Sequence, residues 1–349
     1  MEPNQSLREK INQLATGFPE LVLEEQLRRR PDLATLYTER QKELYKGDVA
    51  YILSFLGEAV GVKRPELFTE FASWLRTFLL SVHVPPEDVK ESFAIILEML
   101  LQAVSPEEAP VVSKFMQNAI GIFEPHVASL PGHPSSHLHT ELARVYLDLI
   151  LEGNRRDAQE LILEQVKSGK PVKEIYLDVF QPVQYEIGRL WQTNKITVAQ
   201  EHYATGVTQL VMSQLYPYLF TGEKKTKKMV STCISGELHE MGIRMVTDFF
   251  EMDGWDTYYL GANTPPGGVI RFLKEVKPEL LAISVTMTFH LNEVRNLIRM
   301  VRETPELNGK TKVLVGGNPF KVADNLWLEM GADAFASNAE EAVLQAGKI

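Results

Sequence analysis

Residues 228–242 read KMVSTCISGELHEMG. An apolar, β-branched run stops at Ser235-Gly236 and a helical apolar period resumes at Met241, so this stretch predicts a strand, a tight turn and a helix. Four more runs of the same kind follow: DTYYLG from Asp256, ELLAISVT from Glu279, KVLVGG from Lys312 and DAFAS from Asp333. Helical patterns starting at Pro265, Leu291, Phe320 and Ala339 separate or close them. Short strands alternating with helices predict an α/β domain over 228–349, with a doubly wound, five-stranded parallel sheet and right-handed crossovers. Ligands of such sheets sit at the carboxyl edge of the strands. His239, two residues after Glu237, falls in a loop at that edge; Ser284-Val285-Thr286 and Gly316-Gly317 end the third and fourth strands there.

A carboxylate that accepts the proton of one imidazole nitrogen fixes the tautomer and makes the other nitrogen a stronger donor to a metal. Glycines at strand ends let a ligand tail approach the backbone, and a strand-end serine can donate to a buried ring nitrogen. The order of these residues resembles the cobalamin-binding signature D-x-H-x-x-G, S-x-L, G-G, with Glu237 in place of Asp and Thr286 in place of Leu. The resemblance spans 228–349 and implies that His239 is the lower axial ligand of cobalt. It also implies that Glu237, Gly242, Ser284, Thr286, Gly316 and Gly317 surround the cofactor. The displaced dimethylbenzimidazole then enters the sheet edge, with Ser284 on the base and the two glycines along its channel.

Ahead of this domain, residues 138–222 predict a four-helix bundle, with breaks at Gly153-Asn154, Gly169-Lys170-Pro171 and Thr193 to Ile196. Trp191 ends the third helix, and Glu201-His202 lies just inside the fourth, whose start carries the capping-box pattern Thr197 to Gln200. A tight helical hairpin brings all three to one end. Trp, nine residues, then Glu-His resembles the motif of CarH-type cobalamin photoreceptors. That resemblance implies adenosylcobalamin with a photolabile cobalt–carbon bond, the indole over the adenosyl group, and Glu201 and His202 near the upper ligand. The chain departs from the founding group in having Gln192 where a histidine follows the tryptophan, and in lacking its N-terminal winged helix.

Residues 1–124 instead predict helices throughout, forming an all-α, globin-like domain. In RPELFTEFASWLRTFLLSVHV, from Arg64, the apolar residues Leu67, Phe68, Phe71, Trp74, Leu75, Phe78, Leu79 and Val82 make one wide stripe. Residues 125–137 are rich in proline and serine and predict a linker; His126, His133 and His137, with His139 beyond, read as solvated rather than as a metal site. A helical globule before a cobalamin module resembles the photocobilins, which implies biliverdin in the N-terminal domain. Tyr51, Trp74, Arg76 and His83 are its candidate contacts, with Phe55, Phe71, Phe78 and Arg64 beside them. The chain's one cysteine, Cys233, lies elsewhere, so such a pigment is expected to be non-covalent.

The 349 residues predict two or three domains, and 44% apolar with 23% charged residues match a globular chain. A formal charge of −10 disfavours direct nucleic-acid binding. The lone cysteine fits a reducing, cytoplasmic address, and no signal peptide or membrane span is expected. The resulting expectation is a light-sensing regulatory protein, not an enzyme, that signals through a partner protein or contacts within a homo-oligomer. The alternative is a corrinoid methyl carrier of a cobalamin-dependent methyltransferase system.

Overall fold

A computed structural model of the chain describes residues 3–124, 138–220 and 225–349. The expected linker over 125–137, with His126, His133 and His137, lies outside the described residues. The chain divides into two compact units. One comprises the described residues to 124 together with Thr286–Asn292 and Asn318–Leu326; the other comprises the described residues from 138 apart from those two segments.

Seven helices make the N-terminal part of the first unit: α1 (Pro3–Leu14), α2 (Phe18–Arg29), α3 (Pro31–Leu36), α4 (Glu39–Gly61), α5 (Pro65–Ser81), α6 (Pro86–Ala103) and α7 (Ala109–Ile122). Proline at the first turn starts α3, α5 and α6, where its missing N–H costs nothing. Thr38 and Gln41 close a capping box on α4. Leu53, Leu56, Phe68 and Phe93 are fully buried between the helices. Helix α1 lies close on α4 because Gly57 and Gly61 leave room for it: a Cβ on Gly57 would stand 2.3 Å from Asn12 Oδ1. The Arg8 guanidinium donates to the buried Glu58 carboxylate at 2.9 Å across this contact.

In the second unit, α8 (Glu141–Leu151) is capped by Thr140, whose hydroxyl accepts the Ala143 N–H at 3.1 Å. Then come α9 (Arg155–Lys167) and a long third helix made of α10 (Val172–Ile175), a π-helical turn at Tyr176–Phe180, and α11 (Gln181–Gln192). Helix α12 (Val198–Leu215) completes the bundle behind the Thr197–Gln200 capping box. Tyr146, Tyr176 and Phe180 fill its interior.

The sheet has β1 (Lys228–Cys233), β2 (Asp256–Tyr259), β3 (Leu280–Ser284), β4 (Lys312–Gly316) and β5 (Ala334–Ala336). All pairs are parallel, in the order β2-β1-β3-β4-β5. Between them run α13 (Met241–Met252), α14 (Pro266–Val276), α15 (Leu291–Glu303), α16 (Asn318–Val322) and α17 (Leu326–Glu329), with α18 (Ala339–Ala346) last. The order reverses between β1 and β3, which makes that pair the switch point of the doubly wound sheet. Register aligns Cys233 with Ser284, Ser284 with Gly316, and Gly316 with Ala336. The strands therefore end in one row, and the loops after β1, β3 and β4 leave the sheet at the same level.

Within this unit the bundle rests on α13 and α18, since Met245, Phe249 and Ala339 are part of its buried core. A polar row on α13 at helical spacing reinforces the seam: Gln209 donates to Glu240 at 2.9 Å, Arg244 to the Ser213 hydroxyl at 2.7 Å, and Tyr176 to Asp248 at 2.6 Å. Burial pushes the Asp248 carboxyl up to about 6, against the hydrogen bond from Tyr176 and the charge of Arg244. An aspartate in an unfolded chain titrates near ~3.9. Between those values the folded protein holds the extra proton, so stability falls as pH rises through the window and stays lower above it. Asp248→Asn keeps an acceptor for Tyr176 without the buried charge. It is expected to raise the unfolding free energy at pH 7.5 by on the order of 2 kcal/mol, read as a higher urea midpoint, and to leave it unchanged at pH 4. An equal shift at both pH values would show that ionisation is not the cause.

Among the described residues, no helix is long and apolar enough to cross a membrane.

Candidate functional site

The loop after β1 is built to present one imidazole. Gly236 turns the chain at φ +83, and its N–H donates to Asn263 Oδ1 at 2.8 Å while Asn263 N–H returns to the Glu237 carbonyl at 3.0 Å. The Glu237 carboxylate, with 1% of its side chain exposed, accepts both the His239 backbone N–H at 3.0 Å and the ring Nδ1–H at 2.6 Å. Nδ1 is thereby committed as donor, and Nε2 is left as the basic nitrogen of a ring whose side chain is 59% exposed. The hydrogen bond to Glu237 holds the imidazole above its ordinary range, and that carboxylate's charge adds to the effect. Burial opposes the shift, and the charge of Glu201 on the bundle adds a smaller push in the same direction. Beneath the loop, burial drives the Cys233 thiol far up; it stays protonated, its Sγ 3.6 Å from the His239 carbonyl, so it is no nucleophile.

At the neighbouring strand ends, half-buried Ser284 and Thr286 bracket Val285, whose N–H donates to the Gly316 carbonyl at 3.1 Å. Gly317 has φ +111, and a Cβ there would stand 1.7 Å from the Val285 carbonyl oxygen. On Gly316 it would stand 3.1 Å from the Ala336 carbonyl. Both glycines thus serve close backbone approach. Gly242 differs: it is exposed, and an added Cβ meets no atom within 4 Å, so nothing in the chain itself requires glycine there.

At the end of the bundle, Trp191 is partly buried against the bundle core, Gln192 is buried, and His202 Nδ1 bonds the Glu201 carboxylate. The His202 side chain is 75% exposed, and Glu201 also accepts from Thr205 at 3.3 Å. Glu201 is near enough for its charge to act on His239. Among the described residues, no cluster of three or more His, Cys, Asp or Glu side chains is arranged to hold a bare metal ion.

Of the residues expected to hold a bilin, Tyr51 packs edge-on to Phe289 at 5.4 Å, Trp74 stacks on Phe78 at 5.7 Å, and His83 is exposed at φ +64 past the end of α5; Arg76 is half-buried. Sequence reasoning passed over Asn263, although its place in a Gly-Ala-Asn-Thr-Pro-Pro turn was a usable signal. It also passed over Glu240, whose carboxylate takes Gln209, the Tyr259 hydroxyl at 2.9 Å and the Ala262 N–H at 3.0 Å; one glutamate beside the motif histidine carries no such mark.

Residues 227–346 match a family described as "B12 binding domain", and residues 142–216 match a second model of that description. The dimethylamine corrinoid protein of Methanosarcina barkeri is 30% identical over 168 residues, covering 48% of this chain and 75% of that protein. The chain belongs to the corrinoid-protein family. Dimethylamine corrinoid protein 3 of Methanosarcina acetivorans is 28% identical over 196 residues, 55% of this chain and 90% of that one. In fold, the corrinoid protein resembles the monomethylamine corrinoid protein of Methanosarcina barkeri, with a TM-score of 0.54 at 24% identity, over 60% of this chain and 99% of that chain. The cofactor is therefore a corrinoid. These relatives favour the methyl-carrier alternative over the light-sensing expectation.

Proposed function

We propose that the chain is the corrinoid methyl carrier of a methyltransferase system, with His239 as lower ligand of cobalt. The observation that carries this is the Glu237–His239 pair, bonded at 2.6 Å with Nε2 on the open side, in a chain related to methylamine corrinoid proteins. When bound, a corrinoid supplies a cobalt centre that accepts and releases a one-carbon group. The chain's own residues orient and shield it. Glu237 fixes the imidazole tautomer and, by its charge, strengthens the donor nitrogen. Ser284, Thr286, Gly316 and Gly317 would receive the corrinoid's nucleotide tail, Gly242 would leave the corrin room, and the Trp191 end of the bundle would shield it from water. A methyltransferase acting in trans supplies the methyl group.

The sequence motif of Trp191 with Glu201-His202 supports a second reading, adenosylcobalamin with light as the signal. Biliverdin has no comparable support, since the relatives are corrinoid proteins. The two readings separate in one titration. A methyl carrier is expected to bind methylcobalamin at least as tightly as adenosylcobalamin and to keep its oligomeric state under green light. A preference for adenosylcobalamin of ten-fold or so, erased by Trp191→Ala and joined to a light-driven change of assembly, would transfer the assignment to light sensing.

A further inference from the structure

Glu240 follows His239 directly, and its two carboxylate oxygens bond different parts of the second unit. Oε2 accepts the Tyr259 hydroxyl at 2.9 Å and the Ala262 N–H at 3.0 Å, from the end of β2 and the loop beyond it. Oε1 accepts the side-chain amide of Gln209 at 2.9 Å, from α12 of the bundle. The loop after β2 also frames the histidine turn, since Asn263 takes the Gly236 N–H and returns its own N–H to the Glu237 carbonyl. Gly261, at φ +76, lets that loop close on the carboxylate: a Cβ there would stand 3.2 Å from Oε2. On α12, Glu201, Thr205, Gln209 and Ser213 recur at every fourth residue and so share one face. Two of them bond α13 in step, Gln209 with Glu240 and Ser213 with Arg244, while the charge of Glu201, at the start of the row, acts on His239.

A metal ligand already held in place by fixed groups binds more strongly than one that must first be ordered. Glu237 aims the ring, and Glu240 fixes the backbone that carries it from the other side. Gln209 and Glu240 fall in the two separately matched B12-binding stretches, so their bond ties one to the other. We propose that Glu240 is a positioning residue for the cobalt ligand and that Gln209 is the bundle's hold on it, so that contact between α12 and α13 sets how firmly His239 holds cobalt. This rests on the reading of His239 as lower ligand, which by itself asks nothing of the bundle.

A cycle of variants in the full-length chain, titrated with cobalamin, separates action through His239 from any other effect. Gln209→Leu removes the amide and keeps its bulk. It is expected to weaken binding by about five-fold in the parent, the worth of one hydrogen bond, and by less than about two-fold in a His239→Ala background. Glu240→Ala, which frees both arms, is expected to cost about ten-fold or more in the parent and again little without the imidazole. Glu240→Gln keeps an oxygen for Ala262 and Tyr259 and meets a turned Gln209 amide, so it is expected to restore most of the affinity. In the paramagnetic resonance spectrum of divalent cobalt, Gln209→Leu is expected to raise the share of metal without imidazole nitrogen. Equal losses in the two backgrounds, no loss for Gln209→Leu in the parent, or Glu240→Gln as weak as Glu240→Ala overturns the proposal. If Glu240→Ala does not fold, the Gln209→Leu cycle decides alone. Unchanged binding by His239→Ala removes the ligand assignment and this proposal with it, whereas a loss there without one in Gln209→Leu removes this proposal only.

Discussion

Replacing His239 by alanine is expected to weaken cobalamin binding by about 10- to 100-fold and to remove the imidazole nitrogen from the paramagnetic resonance spectrum of the reduced, divalent-cobalt form. Two things are lost at once. The metal loses its protein ligand, and the buried Glu237 carboxylate loses its hydrogen bond from the ring while the N–H of residue 239 stays on it. Removing one hydrogen bond from a buried carboxylate has a cost, so the variant is also expected to be somewhat less stable without cofactor. Glu237→Gln divides the two effects: its amide oxygen still accepts from Nδ1–H, and only the charge goes. Binding should then fall between parent and His239→Ala. Parental affinity and an unchanged nitrogen signature in His239→Ala would remove this residue from the cobalt.

Gly317→Ala and Gly242→Ala are expected to part in opposite directions. At Gly317 the new methyl group would meet a carbonyl oxygen at 1.7 Å, with φ at +111, and Val285, the residue that carries this oxygen, is also tied through its N–H to the Gly316 carbonyl. Neither group can retreat without breaking the alignment of β3 and β4. A loss of roughly 2–4 kcal/mol in stability is expected, read as a lower urea midpoint before any cofactor is added. At Gly242 nothing in the chain is within 4 Å of the added carbon, and the position lies in the first turn of α13. Alanine there should leave stability unchanged or improve it by up to about 1 kcal/mol while weakening cobalamin binding. Gly242→Ala with full affinity would mean that the corrin does not approach this turn.

Strand and helix alternation over 228–349 is local information. Each strand is a short buried run ended by Gly, Ser or Pro, and parallel order follows because helices intervene. The Glu237–His239 pair is local too, since two residues of separation across a glycine turn already place carboxylate and ring within reach. The Thr197 and Thr38 capping boxes fall in the same class, each being closed within four residues. What the sequence could not contain is which distant segments share a surface. The charge of Glu201 reaching His239, the Gln209–Glu240 bond and the seam of Tyr176 with Asp248 join residues tens of positions apart through side chains that no periodicity distinguishes. Likewise Tyr51, Phe55 and Phe71 offer an aromatic face that fits a pigment or a chain segment equally well on composition. Only the tertiary structure brings Phe289, from beyond the third strand, edge-on to Tyr51 and Phe55, because burial of an apolar ring selects for shape and area and not for the origin of the group that supplies them.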